Sequence, residues 1–222
     1  ASFFPSTFFR NVAIVTIDLD ETILDIAKNY FGFLIDDRME AKVGDGVEFV
    51  ESYDGPGLHA LIIDVDSKDS TVGMSCPPEA FVTDDFLITC RDILRPEGML
   101  VVNVSALDKA LYGQVRSRFI ATFASVYEIP TEDVNIVLVG LSRPRSITLT
   151  GISEAAKNLQ DAITRRIREG AIDVPYQWQP AVNLSTRMKK ASLVGGTDAV
   201  TPTQQSKSAN NNRKKKKKKK KK

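Results

Sequence analysis

The sequence predicts an α/β fold: an open, mainly parallel sheet with helices on both faces and an antiparallel hairpin near the C-terminal end. Three observations support this prediction. Short β-branched runs alternate with helical patterns in the first half of the chain, several of these runs end in acidic residues, and two later strand-like runs are only four residues apart. With 222 residues, 42% of them hydrophobic, the chain can bury one sizeable core.

The first half of the chain supplies the alternating elements. Its first strand is a β-branched run that ends in Asp18, which is typical of a buried parallel strand. In the helix that follows, apolar side chains recur at helical spacing, namely Ile23, Ile26, Ala27 and Tyr30. The predicted order is strand 12–18, helix 21–33, strand 39–43, a turn and short helix in 44–53, strand 58–64, helix 79–94, a turn at 95–98 and strand 99–104.

The second half completes the sheet and extends beyond it. A helix at 109–120 precedes strand-like runs at 123–129 and 134–141, whose short separation predicts an antiparallel pair at one edge of the sheet. Beyond Pro144 an apolar stripe predicts a helix that packs on the sheet rather than recruiting a partner, with Gly170 placed to end it. The stripe consists of Ile152, Ala156, Leu159, Ile163 and Ile167. The expected division is a domain at 1–144, a helical extension at 145–190 and a disordered, Lys-rich tail at 191–222.

The charge of the chain is unevenly distributed. The formal net charge is +2, but residues 213–222 contribute ten of the 30 basic residues and no acidic one, so residues 1–212 carry −8. An acidic body argues against nucleic-acid binding by the fold. The terminal lysines are either a polybasic arm for anionic partners or, as we favour, the translation of an A-rich message end, since AAA encodes lysine. A genomic exon that encodes them would refute the second interpretation.

Redox and targeting features indicate a cytoplasmic protein without a membrane span. Cys76 and Cys90 are too few for a disulfide framework, so a reducing compartment is expected. No apolar run approaches the roughly 20 residues that a membrane span needs. The first ten residues begin without Met and lack the residue order of a signal peptide. We therefore expect a chain that was cut within a domain.

Acidic residues follow three of the predicted strands. Asp18, Asp45 and Asp64 stand where ligands bind in open α/β sheets, beyond the carboxyl ends of the strands. Such a residue can instead cap the next helix, and for Asp20 capping is as good an explanation as function. Together the three predict a nucleoside-like ligand. Asp18 can accept hydrogen bonds from ribose hydroxyls, and Asp64 can orient a substrate amine. Asp45 can accept a hydrogen bond from the adenine amine, and the glycines on either side of it let the backbone come close to the ligand.

Four segments together carry a family resemblance. They are IDLDETILDIA at 17–27, GDGVEFV at 44–50, IIDVDSKDSTVGMSCPPEAFV at 62–82 and LRPEGMLVVNV at 94–104. The chain resembles class I S-adenosylmethionine-dependent methyltransferases of the spermidine-synthase-like branch, roughly over residues 8–141. More narrowly, it is similar to the C-terminal domain of dual methyltransferases that modify a lysine and the N-terminus of translation elongation factor 1 alpha. The run Gly-Met-Ser-Cys-Pro-Pro is the most specific part of the resemblance.

The resemblance implies a Rossmann-like sheet, S-adenosyl-L-methionine as cofactor, and a protein substrate, namely translation elongation factor 1 alpha. It also implies two groups of site residues. The cofactor-binding group consists of Asp18, Leu19, Asp45, Gly46, Val47 and Asp64. On the acceptor side, Asp64 is the expected catalytic residue, and the expected substrate-binding residues are Asp66, Met74 and Pro77.

Two departures from the family bear on activity. The family has Glu where Asp18 stands, so a shorter acid must reach the ribose. The family also has a central strand and a Gly-rich loop that cradles the methionine part of the cofactor, and neither is found in this sequence. Without that strand, the strands at 12–18 and 58–64 face a gap or pair directly, and each buried backbone group left unpaired costs about 1–3 kcal/mol. We therefore expect a truncated domain that binds S-adenosylmethionine weakly or not at all.

Other candidate residues have ordinary explanations. His59, the only histidine, is expected to pack or to lie in a surface turn. Cys76 has no histidine whose motif would pair with it as a base. Asp64, Asp66 and Asp69 do not follow the spacing of a calcium loop, so no metal site is predicted.

The leading interpretation is a truncated protein methyltransferase domain that transfers a methyl group from S-adenosylmethionine to an amine. An α-amine, with an ordinary pKa of about 8, loses its proton more easily than a lysine at about 10.4, and an acidic site suits a basic protein substrate. Two alternatives stay open. One is a polyamine aminopropyltransferase, which would make spermidine from putrescine and decarboxylated cofactor, although the run Met-Ser-Cys-Pro-Pro argues against it. The other is a non-catalytic product of splicing or of an incomplete gene model.

Overall fold

Strands and helices alternate along the described part of the chain. The computed structural model describes residues 12–33, 35–67, 74–106, 108–131, 134–145, 147–169 and 188–191. In chain order, the elements of these ranges are β1 (Ile14–Asp18), α1 (Glu21–Tyr30), β2 (Met39–Val43), α2 (Gly46–Glu51), β3 (Leu58–Ile63), β4 (Met74–Cys76), a 3-10 helix (Glu79–Val82), α3 (Asp84–Ile93), β5 (Leu94–Ala106), α4 (Lys109–Thr122), β6 (Ser125–Pro130), β7 (Asn135–Leu141), α5 (Leu149–Arg168) and β8 (Lys189–Lys190). This order confirms the α/β class.

The strands of the described ranges form two separate sheets. β1 and β2 pair in parallel, and the larger sheet has the order β3–β5–β7–β6–β8, with β4 paired to β5. β3 and β5 are parallel, whereas β7 runs antiparallel to both β5 and β6. The described residues contain no ladder between β1 and β3. Of the two arrangements expected for these strands, a gap or direct pairing, the described residues show no direct pairing.

The antiparallel pair predicted near the C-terminal end is present as β6 and β7, with Tyr127 opposite Val139. It is not the outermost pair, because β8 adds to the free side of β6. The Ala191 N–H donates to the Val126 carbonyl at 2.9 Å, and Ala191 is buried. This residue therefore belongs to the sheet edge, which differs from the expectation that disorder begins there. The rest of that prediction, residues 192–222, lies outside the described residues.

The single helix predicted over residues 79–94 is divided in the structure. The 3-10 helix ends at Thr83, whose extended backbone (φ −70°, ψ 156°) interrupts the helical hydrogen bonds. The Thr83 hydroxyl accepts from the Phe86 N–H at 3.3 Å and thereby caps α3. The prediction of one continuous helix is wrong because this hydroxyl starts a new helix inside the predicted one.

The turn predicted at residues 95–98 lies inside β5. The strand runs through it, but its register with β3 shifts, so Leu58 faces Leu94 and Ala60 already faces Met99. Gly98 occupies the tightest point, since a Cβ there would lie 2.8 Å from the Leu58 carbonyl oxygen. The resulting bulge lets one strand of 13 residues continue to the carboxyl end of the sheet.

The hydrophobic core lies between the larger sheet and helices α3 and α4. Its most buried side chains include alternate residues of β5 and the inner faces of both helices: Leu100, Val102, Val104, Phe86, Leu87, Cys90, Val115 and Phe119. Among the described residues, β1, α1 and β2 contribute nothing to this cluster and bury Leu24 and Met39 separately. The α2 helix joins the core through Val50. The two sheets therefore have separate apolar interiors.

The first predicted helix is present as α1, but its buried face is narrow. Leu24 is its buried side chain, whereas Ile23 and Ile26 are 49% and 40% exposed and Tyr30 is 79% exposed. Among the described residues, the helix packs mainly on β1 and β2, and its apolar stripe is covered only in part. On β3, across the gap, Ile62 is also 66% exposed.

The second amphipathic helix is present as α5. Ile163 is buried, and Ile152, Ala156 and Leu159 are half-buried, so the apolar stripe is covered in part. Its packing on the sheet stays a prediction, and the expected stop at Gly170 lies outside the described residues. Within the described ranges, no helix combines the length and apolarity needed to cross a bilayer.

Candidate functional site

The carboxyl ends of β1 and β2 bring the two predicted cofactor-binding aspartates together. The Gly44 N–H, directly after β2, donates to the Asp18 carbonyl at the end of β1 at 2.9 Å. Asp45 follows Gly44 and caps α2, because its Oδ1 accepts from the Val47 N–H at 2.7 Å. Asp18 Oδ1 accepts from the Asp20 N–H at 2.9 Å. Among the described residues, the Oδ2 atoms of Asp18 and Asp45 have no partner, so one oxygen orients each carboxylate and the other can meet a ligand.

Asp20 is a capping residue. Its Oδ1 accepts from the Thr22 N–H at 2.9 Å at the start of α1, which confirms the capping interpretation. Leu19, between Asp18 and Asp20, is 75% exposed. An apolar side chain so open to solvent next to Asp18 could cover one face of a bound nucleoside, and its contact with a cofactor stays a prediction.

Asp64 is exposed directly after β3, as the sequence predicts for a residue at the carboxyl end of a strand. Its Oδ1 accepts from the side-chain amide of Asn103 on β5 at 3.0 Å. Among the described residues, its Oδ2 has no hydrogen-bond partner. As in Asp18 and Asp45, one carboxylate oxygen is therefore fixed by a hydrogen bond and the other can contact a ligand.

Gly46 and Phe81 connect the cofactor side of the site to the acceptor side. A Cβ on Gly46 would lie 3.2 Å from the Phe81 ring, so the glycine makes room for this ring, and its contact with a cofactor stays a prediction. At Gly44 a Cβ would meet nothing within 4 Å, which leaves space there. Phe81 belongs to the 3-10 helix after β4 and packs edge to face on Phe86, with 5.4 Å between ring centroids. The ring forms an apolar wall beside the start of α2.

The segment after Asp64 returns to the end of β5. The Ser67 N–H donates to the Ser75 carbonyl at 2.6 Å, and β4 pairs antiparallel with β5. Met74 and Pro77 are buried, whereas Asp66 is exposed. Met74 and Pro77 therefore shape this segment from inside, and the contact of all three with a substrate stays a prediction. Residues 68–73, including Asp69, lie outside the described residues.

Cys76 is a structural thiol rather than a nucleophile. Burial raises the pKa of the Cys76 thiol from the ordinary 9.0 to about 11, and the charges of Asp64 and Asp66 add to this effect. Its Sγ donates to the Asn103 carbonyl at 3.3 Å. A thiol with so high a pKa is protonated at neutral pH and reacts slowly.

His59 lies at the amino end of β3, away from Asp64. Its Nε2 is 2.8 Å from Arg95 Nη1, and Arg95 Nε donates to the Gly57 carbonyl at 2.8 Å. A guanidinium has only donors, so Nε2 is the acceptor. His59 is exposed, as expected for a surface residue, but it lies within β3 rather than in a turn. Of the residues that the structure describes, no three His, Cys, Asp or Glu side chains are grouped to hold a metal ion.

Asn103 and Phe81 were not predicted as site residues from the sequence. Asn103 interrupts a β-branched run in which asparagine is disfavoured, and that exception was the available signal. Phe81 offered only its position three residues after two prolines. Both residues enter the site through contacts with distant parts of the chain.

The sequence is similar to those of known proteins. The sequence matches the spermine/spermidine synthase domain over residues 7–137. It is 34% identical over 169 residues to the eEF1A lysine and N-terminal methyltransferase of Danio rerio, covering 72% of this chain and 24% of that protein. The Homo sapiens protein of the same name is 31% identical over 193 residues, covering 84% of this chain and 26% of that protein. The chain thus spans about a quarter of the length of these curated relatives.

Solved structures share the fold. The crystal structure of human methyltransferase-like protein 13 in complex with SAH has a TM-score of 0.66 and 29% identity, covering 83% of this chain and 82% of that chain. A probable spermidine synthase from Corynebacterium glutamicum has a TM-score of 0.56 and 18% identity, covering 80% of this chain and 69% of that one. The predicted Rossmann-like class I methyltransferase fold is confirmed by these likenesses. With 131 matched residues, the chain belongs to the spermine/spermidine synthase domain family.

Proposed function

We propose that this chain is part of an S-adenosylmethionine-dependent protein methyltransferase that methylates an amine. The observation that carries the proposal is the Asp64 carboxylate, which is exposed after β3 with one oxygen held by Asn103. The named activity of the relatives, eEF1A lysine and N-terminal methyltransferase, supports translation elongation factor 1 alpha as the substrate. Within that protein we propose the N-terminal α-amine, because it deprotonates more readily than lysine.

The proposed cofactor is S-adenosyl-L-methionine, which supplies a methyl group already activated by its sulfonium. The residues of the adenosine side suit it. Asp18 Oδ2 can accept from ribose hydroxyls, Asp45 Oδ2 can accept from the adenine amine, and the Phe81 ring adds an apolar wall. On the methionine side, the described residues supply no Gly-rich loop. The fit therefore supports binding of the nucleoside more than binding of the whole cofactor.

Asp64 would bind and orient the acceptor amine. A carboxylate attracts an ammonium group and then accepts a hydrogen bond from the neutral amine, which must have lost a proton before its nitrogen can attack a methyl group. Oδ1 is engaged by Asn103, so Oδ2 is the oxygen available to the amine. The net charge of −8 on residues 1–212 would attract a basic substrate.

Binding and transfer measurements on the purified chain test the proposal. We expect calorimetric affinity for S-adenosylmethionine to be weaker than micromolar, since the described strands leave a gap between β1 and β3. At saturating labelled cofactor, we expect slow methylation of a basic peptide with a free α-amine, and its loss in Asp64→Asn. Asp54→Asn, an exposed aspartate before β3, is the matched control and should retain transfer. An unlabelled peptide with the wild-type chain would contradict the proposed activity, and micromolar binding would contradict the expected weakness.

Aminopropyl transfer is the second candidate. Two observations support this candidate. One is the name of the matched family, the spermine/spermidine synthase domain. The other is a polyamine aminopropyltransferase of Vibrio vulnificus, which is 24% identical over 160 residues, covering 71% of this chain and 50% of that protein. Incubation with putrescine and decarboxylated S-adenosylmethionine separates the candidates, because spermidine would identify an aminopropyltransferase. We also propose a cytoplasmic location, supported by two free cysteines, which microscopy of a tagged chain can check.

A further inference from the structure

Asn103 and Asp64 are neighbours across two parallel strands. Ile63 and Val102 form the last residue pair between β3 and β5, so Asp64 and Asn103 are the residues that follow this pair on the two strands. Ile63 and Val102 are buried in the core, and the alternation of side chains along strands turns the following residues to the opposite face. The contact between Asp64 and Asn103 is therefore built into the register of the sheet.

The side-chain amide and the main-chain carbonyl of Asn103 have different hydrogen-bond partners. Its side-chain Nδ2 donates to Asp64 Oδ1 at 3.0 Å, while its main-chain carbonyl accepts from Cys76 Sγ at 3.3 Å. The second bond does not depend on which side chain stands at this position. Among the described residues, Asp64 is the one hydrogen-bond partner of the amide. A change of side chain at position 103 thus removes the contact with Asp64 but leaves the hydrogen bond from Cys76, at the end of β4, in place.

We propose that Asn103 is a positioning residue for Asp64, an inference that rests on the proposed methyl transfer. A carboxylate turns about its Cβ–Cγ bond, and a donor on Oδ1 fixes the carboxylate plane so that Oδ2 faces the acceptor amine. An amide suits this task because it donates without adding charge. A lysine or arginine in its place would compete with the amine for the carboxylate, and an aspartate would repel Asp64.

Nuclear magnetic resonance tests the pairing without requiring activity. In ¹H–¹⁵N spectra of the full chain, we expect the side-chain amide signals of Asn103, assigned by their loss in Asn103→Ala, to move in Asp64→Ala. They should stay in place in Asp54→Ala, which removes an exposed carboxylate at the other end of β3. Signals that do not move in Asp64→Ala overturn the inference whatever the activity of the chain.

Kinetics tests what the pairing does. In Asn103→Ala, we expect the rate of methyl transfer at saturating peptide to fall about 10-fold, the effect of losing one hydrogen bond to a charged group, while affinity for S-adenosylhomocysteine is unchanged. Asn103→Asp should lose more, because it adds like charge beside Asp64. Ser105→Ala, two residues along the same strand, is the control and should keep the wild-type rate. Parallel losses of cofactor affinity, folded fraction and rate in Asn103→Ala would make the role structural and overturn the inference. If the wild-type chain transfers no methyl group while the amide signals follow Asp64, the proposed function fails and the pairing stands.

Discussion

Asp64→Asn tests whether the carboxylate lies against the segment that ends in β4. Cys76 is a natural reporter, because the charge of Asp64 is one of the causes that raise the pKa of its thiol. Asparagine preserves the size of the side chain and removes its charge. The substitution should therefore lower the pKa of Cys76 without changing the burial of the thiol.

The expected size of the effect follows from the order of the causes. The pKa of Cys76 is raised from 9.0 to about 11, first by burial, then by Asp64 and then by Asp66. Burial is the largest cause, Asp66 acts alongside Asp64, and a backbone hydrogen bond from Val65 acts in the opposite direction, so Asp64→Asn should lower the pKa by about one pH unit or less. Below the pKa, a fall of one pH unit in the pKa is a tenfold rise in thiolate, so alkylation at pH 9 should speed up by at most about 10-fold.

Alkylation with iodoacetamide, followed by mass spectrometry of the two cysteine peptides, measures this effect. Cys90 is an internal control, because burial raises the pKa of its thiol to about 12 with no contribution from Asp64. We expect Asp64→Asn to accelerate alkylation of Cys76 and to leave Cys90 unchanged. An unchanged rate at Cys76 would refute the placement of the charge. Equal acceleration at both cysteines would show opening of the fold instead.

Three further changes test packing, capping and pH dependence. Gly140→Ala should destabilise the fold by about 1–3 kcal/mol, because a Cβ there would lie 2.6 Å from the Phe123 ring. Gly113→Ala, in α4 with nothing within 4 Å of the new Cβ, should stabilise the fold by about 0.5–1 kcal/mol. Urea denaturation measures both effects, and changes of the same sign in the free energy of unfolding of the two variants would contradict these predictions. Asp20→Ala should cost the α1 cap about 0.5–2 kcal/mol, seen as faster hydrogen exchange in α1 and not in α3. Because the raised pKa of Cys90 keeps its thiol protonated in the folded state, the stability that it contributes is fully present below pH 9.0 and is lost as the pH rises through about 12. Urea midpoints should fall over that range, and Cys90→Ala should flatten the decline.

Local sequence patterns predict the order of elements well, because strand runs and helical spacing are properties of neighbouring residues. The break at Thr83 could have been found as well, since a threonine followed by two aspartates is a helix-start pattern. The bulge at residues 95–98 could not, because continuation of β5 depends on its pairing with β3. The exposure of Ile23 and Ile26 could not be predicted either, since it depends on which distant parts of the chain pack on this helix.

The residues of the candidate site also fall into those that local sequence patterns predict and those that depend on distant contacts. The positions of Asp18, Asp45 and Asp64 at the carboxyl ends of strands were predictable, because acids that follow strand-like runs are visible in the sequence. Asn103 was not, since its contact with Asp64 joins residues 39 positions apart and depends on the register of two strands. Phe81 was missed for a similar reason, because its ring meets Gly46 across the two halves of the site.

The gap between the two sheets has a consequence for association between chains. Within the described ranges, β1 pairs with β2 alone and β3 pairs with β5 alone, while Val15 and Ile62 on these strands are 45% and 66% exposed. A strand edge with unpaired N–H and C=O groups is a template for a strand of another molecule. Different strand edges on one molecule permit head-to-tail addition, which grows without closing into a ring of fixed size. We expect the chain to form species whose size increases steadily with concentration rather than a dimer of defined mass.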